Sequence, residues 1–76
     1  MIDLGNKYIY AQQTETAFNH PVYEIVNKAS KAVVAQIGWF PRWKRFVLYP
    51  AENSVFDLDC LPVIVKFMES LKPEGR

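Results

Sequence analysis

The chain is poor in cysteine, histidine and glycine, three of the residue types from which catalytic, metal and phosphate sites are assembled. Its one cysteine, Cys60, has no partner for an internal disulfide, and its one histidine, His20, leaves no Cys/His set with zinc-site spacing. The three glycines, Gly5, Gly38 and Gly75, are too dispersed to build a phosphate-cradling loop. No apolar run approaches the roughly 18 to 20 residues that a membrane-spanning helix needs, so no membrane partner is expected. Charge of one sign is also scarce. A formal net charge of +1 gives no global field that would draw nucleic acid or an anionic membrane, and electrostatic recognition has to be local. The stretch Met1 to Lys7 lacks the basic, apolar and small-residue order of a secretory signal, and a free cysteine suits a reducing compartment; a cytoplasmic location is expected.

What is present is a compact, apolar composition. With 50% hydrophobic and 14% aromatic residues the chain is too apolar to be disordered. Its 76 residues have room for one core, so 1–76 is read as a single domain with no cleft between lobes. A domain of this size buries only about 60% of the surface its unfolded chain exposes, and no disulfide or metal supplements it. Self-association, most simply a homodimer, is the expected supplement.

The hydrophobic pattern changes period once. Residues 7–12 contain Tyr8, Ile9 and Tyr10 and predict a first strand, followed by a polar loop over 12–16. Val22 to Val26 is a β-branched and aromatic run that starts after Pro21 and ends in the turn-like stretch Asn27 to Lys31. The returning strand, 32–40, alternates Val33, Ala35, Ile37 and Trp39, the better core face, against Val34, Gln36, Gly38 and Phe40. Pro41 breaks it, since proline fixes φ and lacks an amide donor. A third run, 43–49, sets Phe46 and Leu48 towards the core, with Trp43, Arg45, Val47 and Tyr49 on the other face; Pro50 closes it and Val55-Phe56 is a brief extension.

Beyond Phe56, Leu61, Ile64, Val65, Met68 and Leu71 recur at helical spacing, widened by Cys60, Val63 and Phe67. This predicts a helix over 59–72. Asp59 is the expected N-cap, because capping by Asp57 would push Pro62 towards the helix interior; Pro73 and Gly75 end the helix. The expected fold is α+β: a three- to four-stranded antiparallel meander over 21–56, with 1–20 supplying a strand and loop, packed by one C-terminal helix. Val33, Ile37, Phe46, Leu48, Leu61, Ile64, Val65 and Met68 are the expected core.

Candidate chemistry is thin. A nucleophilic Cys60 would need a base, yet His20 lies forty positions away with no triad pattern around either residue, so a structural thiol is the reading. Asp57 and Asp59 flank a helix start, where carboxylates are favoured by the helix dipole. No enzymatic activity and no cofactor are expected. The segment from Trp39 to Phe46 is different, because four aromatics and three cations surround a proline turn. In a binding role, Trp39, Phe40 and Trp43 offer stacking faces, and Arg42, Lys44 and Arg45 offer charge to phosphate or an acidic partner. In a structural role, the rings anchor the core and the cations guard an exposed hairpin.

The run Val22 to Lys28, the run Gly38 to Phe46, and then Val55-Phe56 and Cys60-Leu61 together resemble small uncharacterised proteins encoded by phages and prophages. The likeness covers about 22–71 and rests on a tryptophan, aromatic, proline, any residue, tryptophan, basic core. It implies the strand-strand-strand-helix order and a phage context, with no activity attached. The functional expectation is a non-catalytic interaction protein that contacts a host macromolecule, or itself, through Trp39, Phe40, Arg42, Trp43, Lys44 and Arg45. The alternative is a nucleotide or single-stranded nucleic-acid binder using the same residues.

Overall fold

A computed structural model describes residues 1–71. Four strands, β1 (Ile9–Ala17), β2 (His20–Asn27), β3 (Val33–Phe40) and β4 (Arg45–Pro50), precede one helix, α1 (Cys60–Glu69). The sheet is antiparallel in the order β1-β2-β3-β4, each strand pairing with the next, so the fold is the expected α+β meander with a single helix.

The three connections are chosen by local chemistry. The β1–β2 hairpin turns on two residues, Phe18 and Asn19, both with left-handed backbone (φ 55° and 64°). That geometry matches the twist of the flanking strands. The other two hairpins share one design. In β2–β3 the amide of Lys31 donates to Asn27 O at 2.8 Å, and in β3–β4 that of Lys44 donates to Phe40 O at 2.8 Å. Each lysine closes its turn in a left-handed conformation, with φ 65° and 55°. Asn27 tightens the first loop further, its Oδ1 accepting from the amides of Ala29 and Ser30 at 2.9 Å each.

Ile9 and Ala11 of β1, Ile25 of β2, Ala35 and Ile37 of β3, and Ile64 of α1 form the core, on the sheet face that the helix covers. Phe46, Leu48, Cys60, Phe67, Met68 and Leu71 pack around it, and Tyr23 meets Phe67 edge-on at 5.2 Å. Alternation therefore assigned the faces of β3 and β4 correctly for Ile37, Trp39, Phe46 and Leu48. Three expected core residues are exposed instead: Val33, Leu61 and Val65. The pairing slips between Ile25 and Val26, so Val26 meets Val33 where unbroken register would place Val34, and Val33 lies at the strand end. On α1 the packed positions are Cys60, Ile64, Phe67 and Met68, followed by Leu71 just past the helix end, a stripe that leaves Leu61 and Val65 on its flank.

Further boundaries differ from the sequence reading. The polar stretch 12–16 is not a loop; it continues β1, where Gln12 is half-buried and donates to Glu24 Oε1 at 3.0 Å and residues 13–16 are exposed along a sheet edge. A register shift between Gln13 and Glu15 interrupts the ladder there. Residues 55–56 belong to no strand. The cap is Asp57, whose Oδ1 accepts from the amides of Asp59 (3.1 Å) and Cys60 (3.0 Å), whereas Asp59 is already helical in φ and ψ and makes no side-chain cap bond. A turn over 57–60 thus leads into the helix and Pro62 remains in its first turn. The helix ends at Glu69; Pro73 and Gly75, expected to stop it, lie outside the described residues.

Candidate binding surface

The strand alternation divides the aromatic and basic segment between the two sides of the sheet. Trp39 lies on the helix-side face, only 8% exposed. Its indole stacks on the His20 ring at 4.0 Å with the planes 4° apart, and meets Phe46 edge-on at 5.3 Å. His20 is held in place by the contact of its Nδ1 with Phe18 O at 2.7 Å, and its ring also meets Phe46 edge-on at 5.8 Å. Trp39 is therefore a structural anchor at the end of the sheet, and its expected role as a stacking face for a partner is corrected.

Phe40 and Trp43 occupy the other side. Phe40 is half-buried at the end of β3, and Trp43, 62% exposed, sets its ring edge-on against it at 4.8 Å. Arg42, Lys44 and Arg45 are exposed around this pair. Arg45 faces Phe40 across the β3–β4 ladder, which puts its side chain on the same face. The α-turn that closes 40–44 makes this grouping possible: Phe40 O accepts from the amides of both Trp43 (3.1 Å) and Lys44 (2.8 Å), folding Trp43 back over its own strand. The structure thus brings together five of the six expected residues, Phe40, Arg42, Trp43, Lys44 and Arg45, at an exposed hairpin tip.

Phe18 is a residue the sequence reading passed over. It sits 67% exposed at the β1–β2 turn, and the meander places that turn and the 41–44 loop at the same end of the sheet. A large aromatic at positive φ in a tight turn is uncommon. The dipeptide Phe18-Asn19 becomes visible as a turn only once β1 is extended through Ala17, and the polar 12–16 stretch concealed that extension.

At the opposite end of the sheet a cavity of about 320 Å³ is lined by Tyr8, Asn27, Val34, Phe56, Asp57 and Cys60. Its chemistry opposes nucleophilic use. The Cys60 amide, then the Cys60 thiol, donate to the Asp57 carboxylate and hold it below its ordinary range. Burial, followed by the bond to Asp57 and its negative charge, pushes the Cys60 thiol up, favouring the inert protonated form. Among the described residues no group of histidine, cysteine and carboxylate side chains is placed to hold a metal ion, and no helix is long and apolar enough to cross a membrane. Comparison with family models, curated proteins and solved structures finds no match for the chain.

Proposed function

We propose that this chain is a non-catalytic binding protein that presents the 40–45 hairpin tip to an acidic segment of a macromolecular partner and associates with itself through the sheet. The observation that carries the first half is Trp43, a largely exposed tryptophan braced by Phe40 and ringed by Arg42, Lys44 and Arg45. Exposed tryptophan and arginine are the residues that dominate binding energy at interfaces, and unpaired guanidinium groups favour carboxylate partners. The resemblance of 22–71 to small phage proteins supplies the context: a phage product acting in the cytoplasm on a host macromolecule.

A macromolecular surface fits the tip better than a nucleotide does. Nucleotide sites are concave and enclose the base, whereas this tip protrudes. Non-specific single-strand binders stack successive bases on several rings. With Trp39 withdrawn, Trp43 is the one exposed tryptophan among the described residues. The size of the core favours self-association. Among the described residues Ile25, Ile37 and Ile64 are the largest side chains with essentially no exposure, a slender interior for a small domain.

The test is a titration followed by Trp43 emission and by anisotropy of a labelled ligand, comparing an oligoglutamate peptide, an oligothymidylate and a cyclic dinucleotide. Saturable binding of the acidic peptide, weakened about tenfold or more by Trp43→Ala or by Arg42→Ala with Arg45→Ala, is expected. Binding of the oligonucleotide or cyclic dinucleotide alone would transfer the site to nucleic acid. A flat response to all three would remove the tip from consideration as a polyanion-binding surface.

A further inference from the structure

The two edges of the sheet are built differently. At β1 the ladder's bonded pairs fall at even positions, since Lys28 N donates to Tyr8 O, so Ile9, Ala11 and Gln13 point their backbone groups outwards. That edge is covered at Ala11, which exchanges both backbone bonds with Ile2, and is then broken by the shift between Gln13 and Glu15. At β4 the bond from Ala51 N to Val34 O fixes the alternation: positions 45, 47 and 49 bond β3, and Phe46, Leu48 and Pro50 point outwards. Ile2↔Ala11 is the one isolated bridge among the described residues, and none pairs with β4. The outer edge of β4 therefore offers two complete donor and acceptor sets, at Phe46 and Leu48, and stops at Pro50, which has no N–H.

We propose that β4 is the self-association surface, two copies pairing antiparallel about Val47 so that Phe46 of one lies opposite the partner's Leu48. This inference rests on the self-association proposed above and names its site. The register follows from which groups are free. Pairing Phe46 with the partner's Leu48, and the reverse, joins all four outward amides to the four outward carbonyls at those positions. Shifting towards the loop, with Phe46 opposite the partner's Phe46, sets Leu48 against Lys44, whose amide is already committed to Phe40 O. Shifting the other way sets Phe46 against Pro50, which has no hydrogen to give. Only the register centred on Val47 leaves no outward group at Phe46 or Leu48 unpaired.

The side chains agree with that register. On the helix side, half-buried Phe46 and Leu48 meet the partner's Leu48 and Phe46, so the two cores become continuous. On the other side, Arg45 lies opposite the partner's Tyr49, a ring that is about half exposed in the single chain and able to receive a cation on its open face. Beyond the strands, the basic tip of one copy approaches the end of the partner's β4, where the partner's Glu52 follows. The product is a continuous sheet of four strands from each copy.

The test is sedimentation velocity over a concentration series, combined with disulfide trapping in a Cys60→Ser background. A species of twice the 8.8 kDa chain mass is expected. Val47→Cys should cross-link on mild oxidation, because residues facing each other at a non-bonded antiparallel pair have Cα atoms about 4.5 Å apart, within disulfide range. Tyr49→Cys should not, because its two copies lie about four residues apart along the strands, roughly 14 Å. Val47→Lys, which places like charges on the two-fold axis, should yield a monomer with an unchanged circular dichroism spectrum. A chain that is monomeric at all concentrations would refute both this interface and self-association. A dimer that traps better through Tyr49→Cys than through Val47→Cys, or that survives Val47→Lys, would refute the β4 register while leaving self-association standing.

Discussion

Truncating the two tryptophans should have opposite consequences, because the fold buries one and exposes the other. Trp39 retains 8% of its exposure, so Trp39→Ala returns nearly all of the indole's contact surface to a void or to water. An aromatic side chain of this class buries about 150–250 Å², worth roughly 4–6 kcal/mol at about 25 cal/mol per Å². Compactness of the unfolded chain reduces that figure, and core aromatic truncations generally cost about 3–5 kcal/mol. The stack on His20 and the edge contact with Phe46 are lost as well. A small single-core domain has about 5 kcal/mol or little more in total, so Trp39→Ala should be left with about 0–2 kcal/mol, marginal at ambient temperature and unfolded by slight warming or dilute urea. Trp39→Phe keeps an aromatic ring over His20 and should fold, with a melting temperature lowered by several degrees at about 4–8 °C per kcal/mol. Trp43→Ala removes a ring that is 62% exposed and should stay within about 1 kcal/mol of the parent. Urea titrations followed by circular dichroism measure all three. The parent's emission should also be a composite of a blue-shifted and a solvent-exposed indole, with Trp43→Phe leaving only the blue component. If Trp43→Ala destabilises the chain more than Trp39→Ala does, the face assignment of β3 is wrong.

Other consequences are checked as simply. Replacing Phe18 by Asn and Asn19 by Gly installs the turn pair preferred at two successive left-handed positions and should raise stability by about 1 kcal/mol in urea. Lys31→Gly, at φ 65°, should act in the same direction through its loop. The Asp57 carboxyl is depressed in the fold, so its contribution is present above the unfolded value near 3.8 and is lost as pH falls through the lower folded value; Asp57→Asn should flatten that acid limb of the melting-temperature profile. Alkylation of Cys60 by iodoacetamide should be slower than that of a free thiol at about pH 8, and faster in Asp57→Asn, which removes the negative charge beside it.

Alternation was informative where a strand has one wet face and one dry face. Ala35, Ile37 and Trp39 against Gln36 and Phe40, or Phe46 and Leu48 against Arg45 and Tyr49, read directly as faces because the helix covers only one side. It failed at β1 beyond Gln12, where an edge strand with solvent on its outer side carries Gln13, Thr14, Glu15 and Thr16 and is held to β2 by its backbone ladder and by the Thr14 hydroxyl, which donates to Val22 O at 3.4 Å. It also failed at Val33, because a one-residue slip in pairing carries no signature in the hydrophobic pattern. On the helix, a broad apolar stripe fixed the period but not the azimuth: the sheet selected Ile64, Phe67 and Met68 and left Leu61 and Val65 outside. The cap was misplaced for a related reason. Position relative to Pro62 favoured Asp59, but the turn over 57–60 lets the Asp57 carboxylate reach two amides before the helix begins.

The binding segment was legible as a composition and illegible as a geometry. Clustering of Trp39, Phe40, Trp43 and three cations marked the region, yet adjacent strand residues point to opposite faces, so no contiguous hexamer could form one surface. What reunites Phe40 with Trp43 is the left-handed Lys44, which closes a four-residue loop and returns the chain onto the face that Phe40 occupies. The tip's shape therefore depends on a residue that also carries one of its charges. Lys44→Gly changes both at once, relaxing the backbone at φ 55° and deleting the ammonium, so stability and binding have to be read separately. If the cation at this position matters to the partner, Lys44→Gly should raise the melting temperature while weakening capture of the acidic peptide, whereas Lys44→Asn, which tolerates the same backbone, should weaken it to the same degree. Equal binding by all three proteins would show that Lys44 shapes the tip without touching the partner, and would leave Arg42 and Arg45 as the groups that meet it.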